Sequence, residues 1–179
     1  MGPEREWWSV KGVDEATPIF AQVATVGEGG EPQVRTVQVR YVEKFGCLGV
    51  NTNKGTNKWK ALLKKPLLAG CYFDVAANRQ IRWEGDVQLI EEDDIFLNQM
   101  WALVEKGVRK VYWMKEGLPE HDLSVRCPTF GTILCFPKVW DIYQIDAGDS
   151  SRSTRTLYRE SNGWKPEEEI SVASHTDSF

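Results

Sequence analysis

Hydrophobic and polar positions alternate along much of this chain with the period of a β-strand. Pro18 to Val26 (PIFAQVATV) is β-rich and apolar, and it runs into Gly27-Glu28-Gly29-Gly30-Glu31-Pro32, a strong turn signal. Gln33 to Val42 (QVRTVQVRYV) puts Val34, Thr36, Gln38 and Arg40 on one face and Arg35, Val37, Val39 and Tyr41 on the other. The two runs predict a β-hairpin with a longer loop, and Phe45 to Thr52 predicts a third strand. After Asn53-Lys54-Gly55-Thr56-Asn57 the period changes. Trp59, Leu62 and Leu63 fall at helical spacing with lysines between them, with Thr56 or Asn57 as N-cap and Pro66 as the stop. Leu67 to Phe73 and Arg79 to Ile90 predict a further antiparallel pair. Glu91 to Val104 predicts an amphipathic helix. Its first turn is acidic, and its apolar face carries Phe96, Met100, Leu103 and Val104. A Gly-punctuated stretch follows. Phe130 to Phe136 and Val139 to Ile145 then predict strands on either side of Pro137, and Arg155 to Arg159 a last short strand. From Pro166 the sequence turns acidic, then small and polar, as a loosely held tail would.

Three strands, a helix, two strands, a helix and several strands, with short connections, predict an antiparallel β-barrel with helices at its ends. With 179 residues the chain suits one domain, taken as 1–165, followed by a flexible tail over 166–179. The hydrophobic share of 41% and charged share of 27% are those of an ordinary globular protein. A net charge of −4 argues against bulk nucleic-acid binding, so any anion site must be local. No apolar run approaches the roughly 20 residues that span a bilayer, and the N-terminus has no secretory apolar core. Cys47, Cys71, Cys127 and Cys135 show no metal or redox spacing. His121 and His175 are the only histidines and lie in loop-like or tail sequence. No metal site is expected, no nucleic-acid or membrane partner, and a cytoplasmic location. Eight tryptophans are available for core, pocket wall or interface.

Three segments can carry chemistry. Arg35-Thr36-Val37-Gln38-Val39-Arg40 places an arginine on each face of one strand, and a buried arginine requires either a carboxylate partner or a bound anion. Asn51 to Lys58 (NTNKGTNK) runs from a strand into a helix N-terminus. It offers backbone N–H groups, the hydroxyls of Thr52 and Thr56, and the charge of Lys58 to a phosphate, or else it is an ordinary helix cap with a solvated lysine face. It lacks Walker A spacing. Arg79 to Gly85 (RQIRWEG) aligns Gln80, Arg82 and Glu84 on one strand face, where cross-strand charge pairing is the alternative reading.

In this order the segments resemble the pyridoxamine 5′-phosphate oxidase-like family of split barrels that bind flavin mononucleotide (FMN). That family carries an R-x-V-x-x-K/R strand, a polar-Thr pair, a G-S-R-K turn and an R-Q-V/I-R strand. Here these read R-T-V-Q-V-R, N-T, G-T-N-K and R-Q-I-R-W-E-G. The resemblance runs from Ile19 to Ile90, weakens over Glu91 to Pro128, and returns over Phe130 to Trp164. It implies a homodimer with FMN at the subunit interface. Arg35, Thr36 and Val37 would line the cofactor, and Arg40 would stand where the oxidases have a lysine near the phosphates. Asn51 and Thr52 would contact flavin and phosphate. Thr56, Asn57 and Lys58 would form the phosphate turn. Gln80 would hydrogen-bond the cofactor, and Tyr143 and Arg155 would reach it from the partner. Arg35 and Gln80 are candidates to polarise the flavin ring. Arg40, Arg109, Tyr112, Trp113 and Arg152 are candidate substrate contacts.

Two departures stand out. Asn57 replaces the phosphate-binding arginine of the family, with Arg40 as a candidate compensation. Ser151-Arg152-Ser153 replaces the R-x-H of the true oxidases. The resemblance therefore implies an FMN-dependent oxidoreductase acting on a small amine or alcohol. The alternatives are a non-catalytic flavin-binding module and a flavin reductase-like enzyme fed by a reduced nicotinamide.

Overall fold

The computed structural model describes residues 16–115 and 122–169. His121 and His175 lie outside these residues, as does the tail over 170–179. The expected hairpin forms from β1 (Ile19–Val26) and β2 (Pro32–Val42). Its register pairs Ala21 with Val37 and Val23 with Arg35, and these residues face inward. Phe20, Gln22 and Ala24 face outward with Gln38, Thr36 and Val34. β3 (Cys47–Asn53) pairs with β2, and helix α1 (Asn57–Lys64) follows. β4 (Leu67–Asp74) then pairs with β1, and β5 (Arg79–Ile90) with β4. β6 (Phe130–Gln144) pairs with β5 along its length. Its first half also pairs with β3, from Asn53–Phe130 to Leu48–Cys135, which closes a six-stranded antiparallel barrel. β7 (Thr154–Arg159) extends the sheet from the second half of β6, and β8 (Pro166–Glu169) pairs with β7. The predicted loose tail is thus a strand over its first four residues.

Pro137 does not divide β6 as its position in the sequence suggests. The strand runs through it with a bulge, where Glu84 pairs with Val139 but Gly85 pairs with Pro137. The extra residue, Lys138, shifts the parity of the strand. Trp140 and Ile142 face the barrel interior before the bulge in the pairing order, and Ile133 and Cys135 after it. A proline lacking its N–H is tolerated at such a site. Gly85 is required there, because a Cβ would lie 2.3 Å from the Phe136 carbonyl oxygen.

Two cores result. The barrel interior holds Val23, Val39, Val50, Ile81, Trp83 and Trp140, and α1 plugs one end with Trp59 and Leu62. The buried stripe of this two-turn helix runs through Trp59, Ala61 and Leu62. Leu63, expected on that face, turns into solvent at 62% exposure. The second core lies outside the barrel. Helices α2 (Asp94–Ala102) and α3 (Lys106–Lys115) lay Phe96, Met100, Trp101, Tyr112 and Trp113 over Val42, Phe130 and Leu134. The predicted helix over Glu91 to Val104 is therefore shorter and has a successor. Asp93 accepts a hydrogen bond from Phe96 N at 3.0 Å and starts α2 there, not at Glu91. Val104 N bonds back to Trp101 O, and α3 begins two residues later. No helix among the described residues is long and apolar enough to cross a membrane.

The helical layer covers only one flank of the barrel. On the opposite flank, formed by β1, β4, the start of β5, the end of β6 and β7, no described residue covers the sheet.

Candidate functional site

The turn between β3 and α1 is built by its own side chains. Asn53 is 7% exposed; its Oδ1 accepts from Gly55 N at 2.7 Å, and its Nδ2 donates to Thr129 Oγ1 at 2.9 Å. The turn is thereby closed on itself and tied to the start of β6. The Thr56 hydroxyl donates to Asn53 O at 2.8 Å instead of capping α1. The first turn of α1 thus opens with the positive end of its dipole beside a cavity of about 570 Å3. Gln33, Arg35, Asn53, Gly55, Thr56, Asn57 and Lys58 line that cavity. Two motifs separated in sequence, the Arg35 strand and the Thr56–Lys58 turn, meet there.

Arg35 discriminates between the two readings of its strand. Its Nη1 donates to Thr25 Oγ1 at 2.9 Å and its Nη2 to Gln33 Oε1 at 3.3 Å, both neutral groups. Among the described residues it has no carboxylate partner. Burial lowers its pKa, yet a guanidinium remains charged. A half-buried cation facing a cavity beside Lys58 and a helix N-terminus is suited to an anion. Thr36 faces outward while Arg35 and Val37 face inward, so the three side chains do not converge on one point.

A smaller cavity of about 190 Å3 adjoins the first. Asn51, Thr52, Asn53, Thr56, Lys58, Val111 and Tyr112 line it. Thr52 and Thr56 hydroxyls lie 3.5 Å apart. Asn51 accepts from Thr132 Oγ1 at 2.9 Å and donates to Met100 O at 3.3 Å, so it ties the barrel to α2. Burial, chiefly, pushes the Tyr112 phenol up, and Cys127 adds to this while Arg40 opposes it. At neutral pH Tyr112 is an uncharged hydroxyl.

The other substrate candidates lie elsewhere. Arg40, 3% exposed, donates to Leu103 O at 3.2 Å and to Gln38 Oε1 at 3.4 Å, and it lines neither cavity. Its fork holds the helical layer and is not turned toward the phosphate turn, so it does not compensate for Asn57. Arg109 donates to the carbonyls of Val104, Leu123 and Ala102 at 2.7, 3.0 and 2.8 Å. Trp113 is buried in the second core. Arg152 is exposed and paired with Asp149, and Ser153 is buried with its hydroxyl accepting from Asp146 N.

Gln80, Tyr143 and Arg155 form a row across β5, β6 and β7, directly paired and all on the outer face. They stand at the end of the barrel away from the Thr56 turn. The row borders the uncovered flank, where a groove of about 500 Å3 is lined by Gln22, Val34, Cys71, Arg82, Asp141 and Arg155 among others. Burial raises the Cys71 thiol pKa there. Asp141 accepts from Arg155 Nε at 3.0 Å and from Arg155 Nη2 at 2.9 Å, and it is also paired with Arg82. Gln33 and Asp141 line these cavities from outside the three motifs, and Asn53 lies within NTNKGTNK but is not among its candidate ligands. Gln33 is two residues from Arg35 on the same face and was within reach of the alternation argument. Asp141 depends on a cross-strand register that no local pattern gives.

Comparison with known proteins decides the family. The family model for pyridoxamine 5′-phosphate oxidase matches residues 14–125, which include the hairpin, the turn between β3 and α1, and the R-Q-I-R strand. The chain belongs to the pyridoxamine 5′-phosphate oxidase family. Two curated pyridoxine/pyridoxamine 5′-phosphate oxidases, from Actinobacillus succinogenes and Mannheimia succiniciproducens, are each 30% identical over 143 residues. That is 71% of this chain and 68% and 67% of theirs. Among solved structures, a pyridoxamine 5′-phosphate oxidase-related, FMN-binding protein of Nostoc punctiforme superposes with a TM-score of 0.76 at 22% identity, covering 94% of this chain and 96% of its own. PhzG of Burkholderia lata, solved with tetrahydrophenazine-1-carboxylic acid, gives 0.71 at 16% identity, covering 93% and 90%. These two show that the barrel is the split barrel of the oxidase family. The family is flavin-binding, and the cradle here suits a phosphate monoester: two cations, a hydroxyl, three amide side chains and a helix start around one cavity.

Proposed function

We propose that the protein is an FMN-dependent oxidoreductase acting as a homodimer. The observation that carries this reading is Arg35, a half-buried cation whose partners among the described residues are neutral, facing the same cavity as Lys58 and the start of α1. Arg35, Thr56, Asn57 and Lys58 would hold the phosphate. Thr36 and Val37 would lie along the ring, with Asn51 and Thr52 beside it. Gln80, Tyr143 and Arg155 stand too far along the strands to serve the cradle of their own chain, and they suit the cradle of a second copy. Bound FMN supplies acceptance of two electrons from a donor and their delivery to oxygen or another acceptor. The chain's own work is binding and orientation: Arg35 brings positive charge to the cradle, and Gln80 of the second copy brings a neutral amide donor to the ring. Tyr112, neutral and on the wall of the smaller cavity, and Lys58 are the substrate contacts that the geometry favours over Arg40, Arg109, Trp113 and Arg152.

The test is titration of the apoprotein with FMN, followed by flavin fluorescence quenching. A charge-assisted phosphate contact contributes about 1.5–3 kcal/mol, or roughly ten- to a hundredfold in affinity. Lys58→Ala and Arg35→Gln are expected to weaken FMN binding by that factor, while Lys65→Ala, exposed at the end of α1, leaves it unchanged. Equal effects of Lys58→Ala and Lys65→Ala would remove the phosphate from this turn.

A second reading concerns the substrate. Arg40 and Arg109 are bound to main-chain carbonyls, and Ser153 is tied into a turn, so the elements that would grip a phosphorylated vitamer are otherwise engaged. This favours a donor other than pyridoxamine 5′-phosphate, including a reduced nicotinamide, or a module that binds flavin without turnover. Hydrogen peroxide release in air with pyridoxamine 5′-phosphate, compared with anaerobic flavin bleaching by reduced nicotinamide, separates the three.

A further inference from the structure

The uncovered flank carries one polar cluster that the flavin reading does not explain. Asp141, on the outer face of β6, has a side chain only 11% exposed, although its strand lies on a surface with no described cover. Arg155 of β7 grips it with two parallel bonds, Nε to Oδ1 at 3.0 Å and Nη2 to Oδ2 at 2.9 Å. Arg82 of β5 closes on the same Oδ2 from the other side. The two arginines remain 34% and 43% exposed, so the carboxylate is shielded while both cations still reach the surface. The cluster itself holds two cations to one carboxylate, and Glu84 supplies a further carboxylate on the same groove.

Such a cluster is a poor stability device, since shielding a carboxylate from water offsets much of what its partners contribute. It is a good orienting device. A single contact leaves an arginine free to rotate, whereas a two-point fork fixes the plane and direction of the guanidinium. The orientation matters at Arg155 in particular, because it ends the Gln80–Tyr143–Arg155 row.

We propose that Asp141 is a positioning residue that locks Arg155 in the orientation needed to meet the flavin bound by a second copy of the chain. The inference rests on the dimeric flavin reading above and adds to it a residue and a role. Without the carboxylate, Arg155 would lose the two-point fork that fixes its plane, and recovering that orientation on binding would cost side-chain entropy. Asp141 acts only through Arg155, so removing either should weaken the flavin equally, and removing both should do no further harm.

The experiment is a double-mutant cycle on FMN affinity, using Asp141→Asn, Arg155→Gln and the double variant, with light scattering to follow assembly. Each single variant is expected to weaken FMN binding by about tenfold, and the double variant to match Arg155→Gln. Asp141→Glu, which keeps the carboxylate, is expected to restore most of the affinity. At saturating FMN, Asp141→Asn and Arg155→Gln should shift the visible circular dichroism of the bound flavin in the same way, a signature that general loosening would not produce. Additive losses, an Asp141→Asn chain that binds as the parent does, or one that no longer assembles as the parent does would each overturn the proposal. If Arg155→Gln is silent while Lys58→Ala still weakens binding, this inference fails and the flavin reading stands. If the parent chain binds no FMN, the flavin reading itself fails.

Discussion

Arg109 illustrates how differently the arginines of this chain are employed. Its Nε, Nη1 and Nη2 each reach a main-chain carbonyl, of Val104, Leu123 and Ala102, and its guanidinium lies 5.6 Å from the Trp101 ring centroid. Ala102 and Val104 are at the C-terminus of α2, where carbonyls lack helical partners and the dipole is negative. A planar fork can serve three such acceptors, and an ammonium cannot hold the same geometry. Arg109→Lys is therefore expected to destabilise the fold by roughly 1–3 kcal/mol, measured by urea unfolding, with FMN affinity unchanged. A loss of affinity at full stability would return Arg109 to the site. In the sequence Arg35, Arg40 and Arg109 are equivalent as candidate anion ligands. Alternation correctly put Arg35 and Arg40 on opposite faces of β2. What each face meets is set by elements distant in sequence, beyond any local pattern: the turn before α1 for Arg35, and for Arg40 the Leu103 carbonyl at the end of α2, 63 residues away.

At the scale of elements, periodicity gave the strands well and the helical layer poorly. The β5 boundaries are those expected from RQIRWEGDVQLI, because a run alternating into a barrel has little freedom of register. α3 escaped because Gly107 and four basic residues interrupt its pattern. The glycine sits in its first turn, where the conformational cost is small, and Tyr112 and Trp113 supply the burial that stabilises it. Pro137 misled in the opposite direction, since a bulge accommodates a proline that a regular ladder would not. α2 owes its start to one side chain. Asp93→Ala removes the bond to Phe96 N and is expected to cost about 1 kcal/mol. The readout is a lowered thermal midpoint, without change in FMN affinity, because the cradle belongs to α1. Asp93→Asn or Asp93→Ser should retain most of the stability, which separates the cap from a charge effect.

At the scale of the molecule, the helical layer seals the barrel on one side, and on the other no described residue covers it. Phe20, Val34 and Phe73 are 65%, 64% and 43% exposed on the outer face of β1, β2 and β4, around the groove that holds Arg82, Asp141 and Arg155. Apolar side chains grouped beside a charged groove on a rigid sheet suit a partner surface. A second copy is the partner that the flavin reading calls for: Gln80, Tyr143 and Arg155 border this flank, while the cavity of Arg35 and Lys58 is at the other end of the strands. A two-fold arrangement lets each copy's row complete the other's cradle. Phe20→Glu is then expected to shift the protein toward monomer in light scattering at micromolar concentration. It should weaken FMN binding several-fold through loss of the partner's row, although Phe20 itself is remote from Lys58 in sequence and lines neither cavity of the cradle. Raising the protein concentration should recover both assembly and affinity together, as linkage between them requires. A Phe20→Glu monomer that binds FMN as tightly as the parent would show that each barrel holds its flavin alone, and would leave the Gln80–Tyr143–Arg155 row with no cofactor to serve.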